Sequence, residues 1–327
     1  MQALLLERFG GPEVLTFTAT EDPVAAPGWV VVELRASALN WHDVLVRQGL
    51  YGSPLPHVLG SDGAGVRRDT GEEVVILPSL WWGDRPEAPG PSWEILGDRQ
   101  RGTHAELVRV PEECVAPKPE RLTWTEAAAL PLTGLTAYRA LFTRGQLRAG
   151  EWVLLLGAGS GVTTIATSLA AAVGANVIVT SSADEKIRRS QELGARGGVR
   201  YTDPDWVRAA VDLTPERRGF DLVLDSVGQT WPDSIAATRP GGRVVVFGAT
   251  QGDRASLEVR PFYFGQYSLL GTTMGSPADL DGLLGLLQTH GHIRPAIDTV
   301  LDLADGADAH RRLERREHFG KLVLRHG

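Results

Sequence analysis

Apolar residues in the first 120 positions fall into short β-branched runs. WVVVELRASAL, GEEVVILP and HAELVRVP are each bounded by Gly, Pro or Asp, which predicts strands and a β-rich region. Between the last two lies PSLWWGDRPEAPGPSWEILGDRQRG, rich in Pro, Gly and Trp and without a helical period. A segment of that length reads as a long excursion over the surface or onto a neighbour. Such loops are often functional, but its three tryptophans could equally serve to bury themselves.

The pattern changes at position 123. Thr123-Trp124-Thr125-Glu126 has the form of a capping box, in which hydroxyl and carboxylate satisfy the orphan amides of a helix start, and a helical stretch follows to about Phe142. Strands then alternate with helices: EWVLLLG, a helix from Ser160, ANVIVTSS, a helix over 183–194, GGVRY, a helix over 204–213, FDLVLDSVG, a helix over 231–238 and GGRVVVFG. Parallel strands need crossovers of a dozen or more residues, and this spacing supplies them, so 123–262 is an α/β, doubly wound parallel sheet of Rossmann type. After Pro261 come FYFGQYSLLGTTMGS, a helix around 277–290, a strand near 296–301, a helix around 305–315 and a terminal strand in GKLVLRH. These are expected to return to the first domain, giving 1–122 with 263–327 as one domain and 123–262 as the other.

Composition narrows the partners more than the fold. A chain of 327 residues with a formal net charge of −7 offers no basic surface for nucleic acid or membrane. Its first residues, MQALLLERFGGPEVL, lack the form of a secretory signal, and no apolar stretch approaches the ~20 residues of a spanning helix. A cytoplasmic protein is expected. The single cysteine, Cys114, excludes an internal disulfide and any multi-cysteine zinc module, and its setting in VPEECVAP favours a small buried hydrophobe over a nucleophile.

The candidate chemistry begins at LLLGAGSGVTTIATSLA, where a strand runs through a glycine-rich turn into a helix. That context makes Gly157, Gly159 and Gly161 candidates for a dinucleotide pyrophosphate, although Val162 stands where the G-x-G-x-x-G pattern has its third glycine. Ser160 and Thr163 can add hydroxyls; a plain structural turn is the alternative. At the end of the next strand, NAD-specific sites place an acid for the ribose. Here the residues are Thr180, Ser181 and Ser182, and the nearby Asp184 and Glu185 read as first-turn helix residues, with Ser182 and Glu185 forming a second capping box. Ser181 and Ser182 with Lys186, and Arg189 beyond, suit the 2′-phosphate of NADPH; alternatively Lys186 and Arg189 form a solvated helix face.

The sequence resembles the medium-chain dehydrogenase/reductase superfamily, in its zinc-free quinone oxidoreductase-like branch. The resemblance runs nearly the whole chain, through ALNWHDVLVRQGLYG, PLPHVLGSDGAGV, GTHAELVRVP, EAAALPLTGLTAYRAL, LLLGAGSGV, DLVLDSVG, RPGGRVVVFG, SLLGTTMGS and FGKLVLRH. It implies a GroES-like catalytic domain beside the Rossmann domain. Where the zinc enzymes of this superfamily carry Cys, His and a further Cys, the matching positions are Asn40, Ser61 and, less securely, Leu132. Thiolates and imidazoles are therefore missing and no metal is expected, a weak site from His42, His57 and Asp62 being the remote alternative. Without a Lewis acid, hydride from NADPH is expected to go to an acceptor that spreads its own charge, a quinone or an α,β-unsaturated carbonyl.

The resemblance also implies roles. Asn40 lies beside the nicotinamide, and Tyr51, on a loop reaching the cleft, is either a proton donor or a packed aromatic. His42 stands where the zinc enzymes have a proton-relay hydroxyl and is either a donor or a packed ring. Thr136 is near the nicotinamide or simply inside a helix. Phe247 and Gly248 end a core strand at the sheet edge where ligands bind. Tyr201 matches an aromatic near the 2′-phosphate, and Lys321 either approaches the cofactor or flanks a strand. A homodimer is implied. A zinc-type alcohol dehydrogenase and a catalytically silent NADPH-binding protein remain the alternatives.

Overall fold

The computed structural model describes all 327 residues and divides into two compact units. One comprises Met1–Leu135, Gly275–Leu284 and Arg294–Gly327; the other comprises Thr136–Met274 and Gly285–Ile293.

The first unit is built on a seven-stranded sheet. Its path runs Val115–Pro117, Glu73–Ile76, Asp62–Arg67, Trp29–Ala38, Lys321–Arg325, Ile297–Asp302, and Leu107–Pro111 also pairs with Trp29–Ala38. The long strand Trp29–Ala38 is the hub because its alternating apolar residues face a core while its ten-residue length serves three partners. A second sheet joins Gln2–Leu6 to Leu15–Ala19 and His57–Val58. The Trp-rich segment is not wholly irregular. Ser79–Leu80 pairs antiparallel with Glu94–Ile95, Trp93 Nε1 donates to Ser79 Oγ at 2.8 Å, and the Trp93 ring meets Trp82 edge-on.

The second unit holds a six-stranded parallel sheet in the order Gly197–Arg200, Asn176–Ser181, Trp152–Leu155, Phe220–Asp225, Thr238–Val246, Ser268–Gly271. The central strands are covered on both faces: Trp152–Leu155 reads WVLL, and Phe220–Asp225 is buried at every position, its Asp221 and Asp225 included.

Two expectations about boundaries change. The residues after 262 do not all return to the first domain, because Ser268–Gly271 hydrogen-bonds in parallel to Thr238–Val246 and completes the second unit's sheet. At the other boundary, the helix capped by Thr123 belongs to the first unit: Trp124–Ala129 packs on strands Trp29–Ala38 and Asp62–Arg67. The capping box itself is present, with Glu126 N donating to Thr123 Oγ1 at 3.3 Å and Thr123 N to Glu126 Oε2 at 2.8 Å. The helix does not run unbroken to Phe142. Pro131, which lacks an amide, opens a new helix Pro131–Tyr138, and residues Arg139–Arg144 widen into a π-helical turn.

Candidate active site

Strand Trp29–Ala38 carries the chain to Asn40, which precedes helix Trp41–Arg47. The backbone amide of Asn40 is taken by Asp43 Oδ2 at 2.7 Å, and its side chain points to another pair of partners. Asn40 Nδ2 donates to Asp62 Oδ2 at 2.9 Å, while Lys321 Nζ donates to Asn40 Oδ1 at 2.6 Å and to Asp62 Oδ2 at 2.8 Å. The second oxygen of Asp62 accepts the Leu132 amide at 2.7 Å. Asp62 is fully buried and Lys321 is 3% exposed. A buried ion pair survives only when its remaining polar atoms are bonded, and this one meets that condition. The ammonium also settles the amide's direction: Asn40 turns oxygen to Lys321 and nitrogen to Asp62, leaving one Nδ2 hydrogen uncommitted. Beside it, burial pushes the Asp43 carboxyl up to about 7.

His42, in the first turn of the same helix, goes elsewhere. Its Nε2 lies 2.5 Å from Asp98 Oδ1, and its ring meets Tyr51 edge-on at 4.6 Å between centroids. Tyr51 is half exposed, and burial of its hydroxyl followed by the charge of Asp98 pushes its pKa above the usual phenol value. His57 donates from Nε2 to Gly97 O at 2.9 Å, and burial pulls its pKa down. His42, His57 and Asp62 therefore have three separate sets of partners, and no cluster of three metal-ligating side chains forms.

In the second unit the glycine turn joins strand Trp152–Leu155 to helix Gly161–Ala172. Gly157 and Gly159 both have positive φ, +79° and +97°, the conformation that favours glycine. A Cβ on Gly157 would meet nothing within 4 Å, so the backbone there faces open space. Ser160 caps the helix by accepting Thr163 N at 3.1 Å, and Thr163 Oγ1 donates to Leu156 O at 3.1 Å, tying helix to strand. The amides of Gly159, Gly161 and Val162 have no partner in the chain. Three orphan donors at a helix N-terminus beside an open turn are what a pyrophosphate needs. Val162 is only half buried, so its side chain does not fill the helix–strand interface that a third glycine usually opens.

At the end of strand Asn176–Ser181 the second capping box does not form. Helix Asp184–Glu192 is preceded by Ala183 without a side-chain cap, and Glu185 binds Arg188 instead, at 2.6 Å. The hydroxyl of buried Ser181 accepts the Ala183 amide at 3.3 Å, which leaves Ser182 exposed at the turn. Lys186 lies on the first turn of that helix. Tyr201, 41% exposed, donates its amide to Ser181 O at 3.0 Å and so stands at the same strand end. Phe247 N donates to Asp225 O at 3.0 Å, and Gly248 packs on Ser226, which places both at the carboxyl edge of the sheet. Thr136 is buried in helix Pro131–Tyr138.

Lys321, expected either to approach the cofactor or to flank a strand, opens strand Lys321–Arg325 with its ammonium on Asn40 and Asp62. Two residues went unnoticed in the sequence. Asp98 lies 56 positions from His42, and nothing local marks it. Arg200 pairs in register with Ser181 across adjacent strands and lies 3.8 Å from Asp184; its place before Tyr201 at the end of a strand was the available signal.

A parallel sheet with an open glycine turn at the carboxyl ends of its strands, carried with a β-rich unit, is the architecture of a dinucleotide-binding protein. Comparison with known proteins gives the family. Residues 161–289 match the zinc-binding dehydrogenase family and residues 26–120 the alcohol dehydrogenase GroES-like domain. The chain is 34% identical to a quinone oxidoreductase of Pseudomonas aeruginosa, covering 97% of each protein. It is 32% identical to the zinc-type alcohol dehydrogenase-like protein YogA of Leptosphaeria maculans, over 95% of this chain and 94% of that one. A solved structure described as an NAD-dependent alcohol dehydrogenase superposes with a TM-score of 0.94 at 40% identity, covering all of both chains. The protein belongs to the medium-chain dehydrogenase/reductase superfamily, in its quinone oxidoreductase-like branch, and is an NAD(P)H-dependent oxidoreductase acting on a small molecule. No helix is long and apolar enough to cross a membrane.

The zinc in the name of the matched family can be tested on the donor set. Zinc takes thiolate, imidazole or carboxylate. The aligned positions offer the Asn40 carboxamide, the Ser61 hydroxyl and the Leu132 side chain, while of the neighbouring carboxylates Asp62 already holds an ammonium at 2.8 Å and Asp43 accepts the Asn40 amide at 2.7 Å. These residues do not fit zinc.

Proposed function

We propose that the protein is an NADPH-dependent reductase of quinones or α,β-unsaturated carbonyl compounds that works without zinc. The carrying observation is the Asn40–Asp62–Lys321 cluster, in which a buried ammonium lies between the two oxygens that would otherwise be available to a metal. With no Lewis acid to stabilise an alkoxide, the acceptor must delocalise the charge that hydride brings, and conjugated carbonyls do so. Bound NADPH supplies the hydride. Asn40 orients the acceptor or the nicotinamide carboxamide through its uncommitted Nδ2 hydrogen, held in place by Lys321. His42, two residues after Asn40, and Tyr51, against its ring, provide the imidazole and hydroxyl from which a proton is supplied. The exposed apolar side chains Leu50, Tyr51 and Leu55 suit an acceptor with an apolar body.

For the cofactor, the turn amides of Gly159, Gly161 and Val162 hold the pyrophosphate, with Gly157 giving it room and the Ser160 cap fixing the helix start. Phe247, Gly248 and Thr136 border the nicotinamide. The preference for NADPH over NADH rests on Ser182, Lys186 and Tyr201, with Ser181 shaping the turn. Arg200 strengthens this reading: Asp184, the acid that would otherwise serve a ribose hydroxyl, lies 3.8 Å from its guanidinium. Dimerisation is supported by strand Ser268–Gly271, which ends the sheet, and by exposed Val259, Tyr263 and Phe264 nearby; sedimentation velocity reads it directly.

Calorimetric titration with NADPH and NADH tests the site, followed by NADPH oxidation with a panel of ortho-quinones and α,β-unsaturated ketones after chelation. Binding that prefers NADPH, and turnover unchanged by chelator, are expected. Equal or NADH-favoured binding would return the ribose role to Asp184, and loss of turnover on chelation would restore the alcohol dehydrogenase reading. Ser182→Asp is the variant of choice for the preference, since Ser181 is buried and a carboxylate there would perturb the strand end. A carboxylate facing a 2′-phosphate is repulsive, so NADPH affinity should fall roughly tenfold or more while NADH affinity holds.

A further inference from the structure

We propose that Asp98, on the Trp-rich segment, is a positioning residue that turns His42 into the proton donor of the reaction; this rests on the reductase reading above. The 2.5 Å contact from His42 Nε2 to Asp98 Oδ1 joins two side chains that are 10% and 13% exposed. A carboxylate only accepts, so Nε2 carries the hydrogen and Nδ1 is the nitrogen left to exchange a proton. Nδ1 has no hydrogen-bond partner in the chain. The ring is held from a second side by Tyr51, whose edge-on contact at 4.6 Å limits its rotation.

A surface pair that merely tethers a loop is the competing explanation, and the loop argues against it. The turn bearing Asp98 is already fixed without His42. Leu96 is fully buried and donates its amide to Pro78 O at 2.9 Å, and Gly97 O accepts from buried His57 at 2.9 Å. Gly97 itself has φ +95°, and a Cβ there would lie 2.9 Å from Gly60 O, so the turn fits closely against its neighbour. The Asp98 amide then closes on Ile95 O at 3.0 Å. A carboxylate delivered on so constrained a turn is placed for the side chain it meets. Of the two candidate acids, His42 is the better one, because burial and the Asp98 charge both hold the Tyr51 proton more tightly.

Reduction of an α,β-unsaturated ketone takes one hydride and one proton. Hydride from NADPH forms the β-carbon–hydrogen bond, the C=C π pair shifts to give an enolate, and NADP+ results. The His42 imidazolium gives its Nδ1 proton to the enolate, the neutral ring keeps the Nε2 hydrogen on Asp98, and water returns a proton to Nδ1.

The test compares wild type, Asp98→Asn, Asp98→Glu and His42→Gln with NADPH and an α,β-unsaturated ketone. General-acid groups contribute on the order of 100-fold or more. Asp98→Asn should lower kcat about 100-fold with KM for both substrates within about threefold, and should raise the solvent deuterium isotope effect on kcat. Asp98→Glu should restore most of the rate. Imidazole 15N shifts, assigned by their loss in His42→Gln, should show neutral His42 protonated at Nε2 in the wild type and not so fixed in Asp98→Asn. Unchanged kcat, a parallel loss in kcat and KM with the isotope effect unmoved, or a wild-type proton on Nδ1 would each overturn the proposal. A wild type that binds NADPH but reduces no acceptor, with the Nε2 proton in place, would refute the reductase reading and with it the catalytic role, while leaving the pair itself intact.

Discussion

Taking the ammonium from Lys321 while leaving Asp62 in place would strand a fully buried carboxylate with only the Asn40 amide and the Leu132 amide to hold it. Breaking one side of a buried pair costs about 3–5 kcal/mol, whereas removing both partners is often close to neutral. Lys321→Met should therefore lower stability by roughly that amount in denaturant titration, and the double variant Lys321→Met/Asp62→Asn should recover much of it. A strictly additive loss in the double variant would show that the two charges do not act as a pair. Lys321→Met, and Asp62→Asn made alone, should each also loosen the orientation of Asn40 and lower turnover. Much of this was hidden in the sequence. Asn40 and His42 stand out by their motif, but their partners Lys321 and Asp98 are 281 and 56 positions away, and only the folded sheet brings them together.

Elements whose form is set locally were legible, and those set by neighbours were not. The glycine turn and the Thr123 cap depend on a few consecutive residues, and both formed where their spacing placed them. The Ser182 cap failed because helix Asp184–Glu192 starts one residue later, and the Ser181 hydroxyl takes the first free amide. Strand Ser268–Gly271 was missed as a sheet member because four residues carry no period; its edge position alone gives it a role. Gly157→Ala adds a Cβ at φ +79° into space free of protein atoms. The strain should cost on the order of 1–2 kcal/mol, and the methyl should obstruct the pyrophosphate. Calorimetry should then show NADPH affinity falling by tenfold or more while the melting temperature drops by only a few degrees. Affinity equal to wild type would place the phosphates elsewhere.

Across the whole molecule, buried histidines set the response to acid. His104, His310 and His326 are almost wholly enclosed. Burial pulls His104 down to about 3 and His326 to about 4, and it holds His310 well below its usual range. The neutral rings suit the fold and the unfolded chain takes up more protons, so stability must fall as pH drops below the free-histidine value of about 6.5. The loss continues down to about 3–4, where the folded rings themselves protonate. Asp43 acts in the opposite sense: its raised pKa of about 7 makes the fold more stable at low pH, with that contribution lost between about 4 and 7 as pH rises. Three rings outweigh one carboxyl, so the melting temperature should decline between pH 6.5 and 5. The slope should be shallower in His310→Leu, measured by differential scanning calorimetry; identical slopes would clear His310 of the effect.

Strand Lys321–Arg325 supplies the cation for residues 40 and 62, and it also pairs with Trp29–Ala38 in the interior of the sheet. Ribosomes make proteins from the N-terminus onward, so during synthesis Asn40 waits 281 residues, and Asp62 259, for that cation. Until Lys321 leaves the exit tunnel, the first unit has a gap in its sheet and an unneutralised acid beside it. A nascent chain that has not yet released Lys321 would already carry the glycine turn while Asn40 and Asp62 still lacked their cation. The order of translation thus makes strand Lys321–Arg325 a late checkpoint: the buried cluster of Asn40 and Asp62 closes only after every residue of the second unit has been made.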